Sequence, residues 1–160
     1  MVGTSTAHAQ IEINIGAVLH YGLRETECNV YSSSLNVHVA ENRIYLPDLT
    51  VSCDPADWTR KRVIKAPTVV VEILSPKTEQ VDRLEKLPTY KAYPTIQDIL
   101  YVDSRRRSIE HYHRLLPEQW RWEEARYTHD EEMITLESIG VTLMVRDAYL
   151  KVHLELEDEV

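Results

Sequence analysis

Apolar residues recur at helical spacing near the start of the chain and predict a helix over residues 7–23. The buried stripe of this helix would consist of Ile11, Ile15, Val18 and Leu19. Residues 4–6 are Thr-Ser-Thr, and any of these hydroxyl side chains suits the N-cap. The chain therefore opens with an amphipathic helix that packs one face on a core.

Short runs rich in β-branched residues follow and predict a series of strands. Residues 40–43, Ala-Glu-Asn-Arg, are typical of a hairpin turn between the second and third of them. Near the C-terminus, residues 141–150 suit either a short strand or a helix. The predicted strands cover residues 29–32, 35–39, 43–51, 69–74, 98–102, 109–114, 119–127 and 133–136.

One predicted strand carries a charged residue in its middle. Residues 69–74, Val-Val-Val-Glu-Ile-Leu, form a continuous apolar run, which is typical of a strand buried on both faces. An ionised carboxylate in such a strand costs several kcal/mol unless a partner compensates for its lost hydration. Glu72 therefore requires a cation, a metal ion or a hydrogen-bond donor.

A second helix is predicted directly after this strand. Residues 78–87 combine apolar positions with charged pairs, and Thr78 suits the N-cap. Pro88 interrupts the pattern, so the helix is kinked there or restarts with Pro88 in its first turn. Asp82 and Lys86 lie four residues apart on one helical face, which can present the lysine toward the end of the strand.

A second carboxylate, Asp48, lies within the predicted strand 43–51, where Leu46 and Thr50 would share its face. Pro47 can be accommodated only at an edge or a bulge, because it has no N–H to donate. The predicted order is helix, three-strand meander, helix and strand, followed by additional C-terminal antiparallel strands. This order indicates an α/β fold.

The length of 160 residues suits a single domain over residues 1–160, with about 1–6 and 155–160 expected to be flexible ends. A composition of 43% hydrophobic and 28% charged residues is that of a globular protein. No apolar stretch approaches the ~20 residues of a membrane span, and no signal-peptide pattern opens the chain. We therefore expect a soluble cytoplasmic protein.

The formal net charge of −8 argues against electrostatic binding of nucleic acid over a broad surface, because such binding requires clustered Lys and Arg. Any contact with DNA would be local, or carried by a partner or a dimer groove. The best local candidates lie in residues 53–66, which we expect to form a mobile loop, although a solvated surface is the default interpretation. These basic residues are Arg60, Lys61, Arg62 and Lys65.

The usual ligands of zinc, cysteine and histidine, form no recognisable zinc motif. Cys28 and Cys53 are isolated, so we expect two small buried thiols in a reducing compartment rather than a zinc site or a disulfide. His111 and His113 share one face of a strand, a spacing that zinc can use. No third ligand lies nearby in sequence, so ordinary strand positions are the expectation.

The stretches around both strand carboxylates match a known pattern. They are Pro47-Asp48, residues 71–79, residues 82–86, Tyr90 and residues 99–103. Together they resemble the Uma2 family, a bacterial family of endonucleases within the PD-(D/E)XK nuclease superfamily, whose restriction-endonuclease-like core has the predicted order of elements. The resemblance extends from about His8 to near Tyr149 and is most specific between Glu72 and Lys86.

The resemblance implies a metal-dependent nuclease that hydrolyses DNA phosphodiester bonds. Asp48, Glu72 and the backbone carbonyl of Ile73 would bind Mg²⁺ or Mn²⁺. Lys86 would orient the attacking water or stabilise charge in the transition state. In the superfamily's usual pattern this lysine lies two residues after the glutamate, where this chain has Leu74, so the helix lysine would take its place.

Each of these residues also has a structural interpretation. Glu72 could be a buried glutamate that an arginine or a backbone donor satisfies, and Asp48 a strand-end residue that accepts hydrogen bonds from a loop. Lys86 could pair with Asp82 on an exposed helix face. For Tyr90, packing of the helix on the sheet is the simplest role, with a hydrogen bond to the site as a second.

One further acidic residue, Glu12, lies on the first helix, where this superfamily often brings an additional acidic group. A solvated position is the simpler interpretation of Glu12. The residues that would support the site are thus Asp82, Tyr90 and Glu12.

The assembly and the activity each leave an alternative. We expect a homodimer, because two-fold dimers are common and suit cleavage of two strands. The alternative to an enzyme is a catalytically silent module of this fold that binds a protein or a nucleic acid, which the acidic charge and the displaced lysine favour. Family members usually carry a segment before the first helix that has no counterpart here, so the chain starts at an internal methionine or is a shortened member.

Overall fold

The computed structural model describes residues 3–116 and 121–154, and the elements are numbered here along the chain. They are α1 (Thr6–Leu23), β1 (Asn29–Ser32), β2 (Asn36–Ala40), β3 (Arg43–Tyr45), β4 (Leu49–Ser52), α2 (Pro55–Thr59), β5 (Val63–Ile64), β6 (Pro67–Leu74), α3 (Glu79–Val81), a π-helical turn (Asp82–Lys86), α4 (Leu87–Ala92), β7 (Asp98–Asp103), β8 (Ile109–Leu116), β9 (Arg121–Tyr127), β10 (Met133–Leu136), β11 (Val141–Met144) and α5 (Val145–Ala148).

A six-stranded sheet with the order β1-β4-β6-β7-β8-β9 forms the centre of the fold. β1, β4 and β6 form an antiparallel meander, β7 pairs in parallel with β6, and β8 and β9 continue antiparallel. The parallel pair requires a crossover, which the helical segment from α3 to α4 supplies. The predicted α/β fold with additional C-terminal antiparallel strands is confirmed.

The predicted strand 43–51 is divided between two sheets. β3 pairs with β2 in a small sheet of order β3-β2-β5, whereas β4 pairs with β1 and β6 in the central sheet. The chain passes from one sheet to the other at residues 46–48, around Pro47, which cannot donate a ladder hydrogen bond. Asp48 therefore precedes a strand, and the prediction that it shares a strand face with Leu46 and Thr50 was wrong.

Apolar side chains cover both faces of the central sheet. On one face α1, α5 and the β10–β11 hairpin pack against alternate residues such as Val71 and Leu100. On the other face α4 contributes Tyr90, which packs with Val70 and Tyr101. The first helix begins as predicted, because Ser5 Oγ accepts a hydrogen bond of 3.1 Å from the amide of His8.

The crossover contains a π-helical turn just before Pro88. The amide of Leu87 donates to the carbonyl of Asp82, five residues earlier, and α4 then begins with Pro88 in its first turn. Pro88 has no N–H for the usual helical hydrogen bond. This explains why the backbone hydrogen bonds change from the α-helical to the π-helical pattern just before it. The predicted helix is therefore present and restarts at Pro88, although the Thr78 side chain makes no capping bond to it.

Residues 53–66, for which the sequence predicted a mobile loop, contain regular secondary structure. They contain α2, capped by Asp54, and β5, and both are held by the buried carboxylate of Asp57. Asp57 accepts hydrogen bonds from Ser52 Oγ at 2.5 Å, from the backbone amides of residues 65 and 66, and from Arg60. These bonds hold the pKa of Asp57 below its usual value, although burial alone would raise it.

Cys28 and Cys53 form a disulfide, so the prediction of two free buried thiols was wrong. The register of β1 and β4 explains the pairing. Asn29 lies opposite Ser52, so the residue before β1 lies opposite the residue after β4. The disulfide closes the segment that contains the β2–β3 hairpin and Asp48.

None of the described helices is long and apolar enough to cross a membrane. The expected flexible end at residues 155–160, and the first two residues of the other end, lie outside the described residues.

We expect reduction of this disulfide to lower the free energy of unfolding by about 3 kcal/mol, because a closed loop of about 25 residues restricts the unfolded chain. Urea unfolding with and without dithiothreitol measures the change. The double variant Cys28→Ser, Cys53→Ser is the control and should not respond to the reductant. Alkylation of two thiols in the unreduced, folded protein would contradict the pairing.

Candidate active site

Asp48 and Glu72 lie side by side at one end of the central sheet. Leu49 pairs with Val71 in the antiparallel β4–β6 register, so the next residues along the two chains are Asp48 and Glu72. The Oδ2 atom of Asp48 accepts a hydrogen bond of 2.7 Å from the amide of Ile73. The structure thus brings together the two carboxylates that the sequence singled out.

Glu72 is 3% exposed and finds its partners on the crossover helix. Lys86 Nζ lies 3.3 Å from Glu72 Oε1, and the hydroxyl of Tyr90 donates a hydrogen bond of 2.5 Å to the same oxygen. Over residues 3–116 and 121–154, the partners of Glu72 are thus a lysine and a tyrosine rather than an arginine or a backbone donor. Tyr90 is fully buried, so it both packs α4 on the sheet and fixes the carboxylate.

Lys86 lies between two buried carboxylates. Its Nζ is 3.1 Å from Asp82 Oδ1 as well as 3.3 Å from Glu72, and its side chain is 21% exposed. The expected spacing of Asp82 and Lys86 on one helical face is observed, but this face packs on the sheet. The alternative of an ion pair on an exposed helix face does not describe Lys86.

Two residues of α1 complete the cluster, and sequence reasoning singled out only one of them. His8 Nε2 lies 3.2 Å from Asp48 Oδ1, and Glu12, one helical turn later, is partly buried beside them rather than solvated. Ligand atoms of His8, Glu12 and Asp48 lie within 4.8 Å of one another. The i, i+4 spacing of His8 and Glu12 was the available signal for His8.

The site holds more carboxylates than cations. Burial, with Asp48 and Asp82 nearby, raises the pKa of Glu72 to about 8, although Lys86 acts in the opposite direction. Burial and Asp48 also raise the pKa of Glu12. Burial would lower the pKa of Lys86, but the adjacent carboxylates of Glu72 and Asp82 raise it above its usual value, so Lys86 stays cationic.

The donor set of this cluster fits a divalent metal ion. Carboxylate oxygens are the preferred ligands of Mg²⁺ and Mn²⁺, and imidazole nitrogen also binds Mn²⁺. Within the described residues, His8 Nδ1 is buried without a hydrogen-bond partner. A cation placed among Glu12, Asp48 and Glu72 would offset the burial and the carboxylate repulsion that together raise the pKa of Glu72.

The basic residues between positions 60 and 65, which the sequence suggested as DNA contacts, do not lie at this cluster. They precede Pro67, the first residue of β6, whereas Glu72 lies near the opposite end of that strand, about 17 Å away along it. Arg60 is engaged by Asp57. The others, Lys61, Arg62 and Lys65, are exposed.

A cavity of about 630 Å³ opens beyond the C-terminal ends of β6 and β7, and its lining does not include Asp48, Glu72 or Lys86. It lies between the residues that precede α1 and the residues that follow β6 and β7. Its lining includes Ser5, Ser75, Lys77, Arg105 and His153. Arg105 is paired with Asp103 and Glu79, whereas Lys77 is exposed, so Lys77 supplies accessible positive charge there.

Comparison with known proteins agrees with the fold and with the motifs. The model of the Uma2 family, described as "Putative restriction endonuclease", matches residues 1–146. Two proteins of Synechocystis are similar: slr1290 is 32% identical over 150 residues, 93% of this chain and 77% of the relative, and sll1609 is 24% identical over 75% of this chain and 70% of the relative. Both are named "Uncharacterized protein".

A solved structure shares the fold. The crystal structure of "a putative nuclease belonging to DUF820" from Anabaena variabilis superimposes with a TM-score of 0.73 and covers 92% of this chain and 83% of its own. The two sequences are 17% identical, so this likeness concerns the fold alone.

The raised pKa of Glu72 predicts a pH-dependent stability. The folded protein retains a proton that the unfolded chain releases near pH 4.5, so this contribution is complete below about pH 4.5 and is lost as the pH rises toward about 8. The Glu72→Gln variant has no titrating group at this position, so its stability does not decline for this reason as the pH rises. We expect its unfolding free energy, relative to the native protein, to rise by on the order of 3 kcal/mol between about pH 5 and about pH 8.5.

Urea unfolding across this pH range, without divalent ions, measures the effect. Glu85→Gln is the matched control, because Glu85 lies in the same π-helical turn but is exposed. A difference between Glu72→Gln and the native protein that does not change with pH would contradict the raised pKa.

Proposed function

This chain belongs to the Uma2 family, and on that premise we propose that it is a metal-dependent endonuclease that hydrolyses DNA phosphodiester bonds. One observation carries the proposal. Lys86 lies 3.3 Å from Glu72 although the two residues are 14 positions apart in sequence, and Asp48 is adjacent to both β6 and α1. Two carboxylates can hold the metal ion that this hydrolysis uses, and an ordered lysine can supply a cation at the reacting phosphate.

The metal ion would be Mg²⁺ or Mn²⁺, held by Asp48 and Glu72, with Glu12 and His8 beside them. When bound, such an ion polarises the phosphoryl oxygens and lowers the pKa of an attacking water. The backbone amide of Ile73 orients the Asp48 carboxylate. The backbone carbonyl of Ile73 would be the third protein ligand of the metal ion. Tyr90 holds the Glu72 carboxylate in a fixed orientation.

We assign to Lys86 the role of orienting the attacking water and of stabilising the negative charge that develops on the phosphate. It remains cationic because it lies between Glu72 and Asp82. Asp82 acts as a positioning residue, since it holds the ammonium group in place without facing the substrate. Lys86 occupies a partly exposed position, which allows a bound phosphate to reach it.

DNA would approach the end of the sheet at which the cavity beside Lys77 opens. A net charge of −8 keeps this contact local. If the run from Arg60 to Lys65 also contacts the backbone, the bound duplex extends about 17 Å from Glu72 along β6, which is about five base pairs.

We expect purified protein to nick supercoiled plasmid with Mg²⁺ or Mn²⁺ and to lose this activity in EDTA. Lys86→Met should lower the rate at least about 100-fold, because it removes a charge at the reacting phosphate. Asp48→Asn should lower it as strongly and should also weaken Mn²⁺ binding, measured by calorimetry. Lys151→Met is the control for Lys86, since Lys151 is exposed three residues after the end of α5 and its replacement should leave the rate unchanged.

Circular dichroism of each variant separates lost chemistry from lost folding. Nicking that persists in folded Lys86→Met would refute the assignment of Lys86. A second outcome is a native protein that folds and binds Mn²⁺ but cleaves none of three substrates: plasmid, single-stranded DNA and branched DNA. That result would favour the catalytically silent binding module.

We propose a homodimer, which would present two sites to the two strands of a duplex. Among the described residues, β9 is the last strand of the central sheet, and its outer edge could pair with a second chain. Light scattering on a size-exclusion column should give about twice the 18.6 kDa mass of the chain. A monomeric mass at the concentrations used for cleavage would exclude this assembly.

A further inference from the structure

A second group of metal-ligand side chains lies on β7 and β8. Asp98 begins β7 and pairs directly with His113 in the antiparallel register, and His111 lies two residues earlier on the same face of β8. The sequence displays only the two histidines as a pair. The third ligand, Asp98, comes from the neighbouring strand β7, which a turn separates from β8 in sequence. For this reason no third ligand is evident near the two histidines in the sequence.

This group is separate from the candidate active site. Asp98 lies on the face of the sheet that contains Leu100 and Val102, whereas Glu72 faces Tyr90 on the opposite side. Along the parallel β6–β7 pair, Asp98 lies beside Val69, three residues before Glu72. One ion therefore cannot use ligands from both groups.

Two imidazole nitrogens converge on one carboxylate oxygen. Asp98 Oδ1 lies 2.7 Å from His111 Nε2 and 2.8 Å from His113 Nδ1, and the three ligand atoms lie within 4.8 Å of one another. A tetrahedral zinc ion with bonds of about 2.0–2.2 Å separates neighbouring ligands by about 3.3 Å. The site accommodates an ion if the oxygen withdraws by about half an ångström.

Two groups in one turn lie next to these ligands. Ser138 Oγ donates a hydrogen bond to the second oxygen of Asp98, and Glu137 Oε2, on a largely exposed side chain, lies 3.9 Å from the outer nitrogen of His113, which is beyond hydrogen-bond distance. Metal-binding imidazoles usually donate their other N–H to a carboxylate, and metal-binding carboxylates are themselves hydrogen-bonded. Both partners lie in the turn between β10 and β11.

The site is buried on the inside and open on one side. Asp98 is fully buried, the His111 side chain is 9% exposed and that of His113 is 23% exposed. An ion can therefore enter along His113. Without an ion, the histidines and Ser138 act as hydrogen-bond donors to Asp98, so the cluster does not require metal to fold.

We propose that Asp98, His111 and His113 form a zinc-binding site that links β7 and β8 to the β10–β11 turn. Two imidazoles and one carboxylate favour Zn²⁺ over Mg²⁺, because neutral nitrogen ligands suit the borderline transition metals. This site is independent of the proposed nuclease centre. It would bind its ion whether or not the protein cleaves DNA.

The test is calorimetric titration of metal-free protein with Zn²⁺ at about pH 7.5, with Co²⁺ absorption as a probe of tetrahedral geometry. His111→Gln and His113→Asn are suitable variants, because each amide replaces the inner ring nitrogen and can keep its hydrogen bond to Asp98. Loss of an outer partner alone weakens metal sites about 10-fold to 100-fold, so we expect loss of a ligand to weaken Zn²⁺ binding at least about 100-fold.

Two controls make the result specific. His129→Asn replaces an exposed histidine and should bind Zn²⁺ as the native protein does. Asp48→Asn removes a ligand of the candidate active site and should retain one Zn²⁺ per chain with the tetrahedral Co²⁺ spectrum. Retention of this ion supports the proposal even if a histidine variant fails to fold.

The proposal is overturned if Asp48→Asn binds no Zn²⁺, since all binding then belongs to the other cluster. It is equally overturned if folded His111→Gln and His113→Asn bind Zn²⁺ with native affinity. Asp98 would then be a buried carboxylate that hydrogen bonds alone satisfy.

Discussion

The burial of Glu72 in the middle of β6 is the constraint on which the rest of the structure depends. β6 lies between β4 and β7 with apolar layers on both faces, so water cannot solvate the carboxylate. A buried carboxylate without partners costs several kcal/mol. The crossover from β6 to β7 supplies these partners, because its π-helical turn and α4 place Lys86 and Tyr90 against one oxygen of Glu72.

The same region concentrates negative charge beyond what folding requires. Asp48, Asp82 and Glu12 surround Glu72 and Lys86. Burial, together with the nearby carboxylates of Asp48 and Asp82, raises the pKa of Glu72 to about 8. Asp57 is also buried, but it accepts several hydrogen bonds and has a lowered pKa. The contrast separates carboxylates that organise the fold from those held at a cost in stability, and the latter are typical of functional sites.

The sequence predicted what depends on local pattern. The β-branched run of β6, the first helix, the restart at Pro88 and the shared face of Asp82 and Lys86 follow from neighbouring residues, and the motif around Glu72 added the family. What it missed depends on which strands are neighbours. The disulfide follows from β1 pairing with β4, the position of Asp48 from a change of sheet at Pro47, and the contact of Asp98 with two histidines from β7 pairing with β8.

The placement of Lys86 on a helix has a consequence for dynamics. A lysine two residues after Glu72 would remain beside it as long as the sheet persists, but this chain has a buried Leu74 there. Lys86 and Tyr90 instead reach Glu72 only while residues 79–92 are docked on the sheet. Native proteins open locally at much lower free energy than they unfold. A transient release of this one segment would therefore dismantle the cluster and expose Glu72 to water while every strand remained paired.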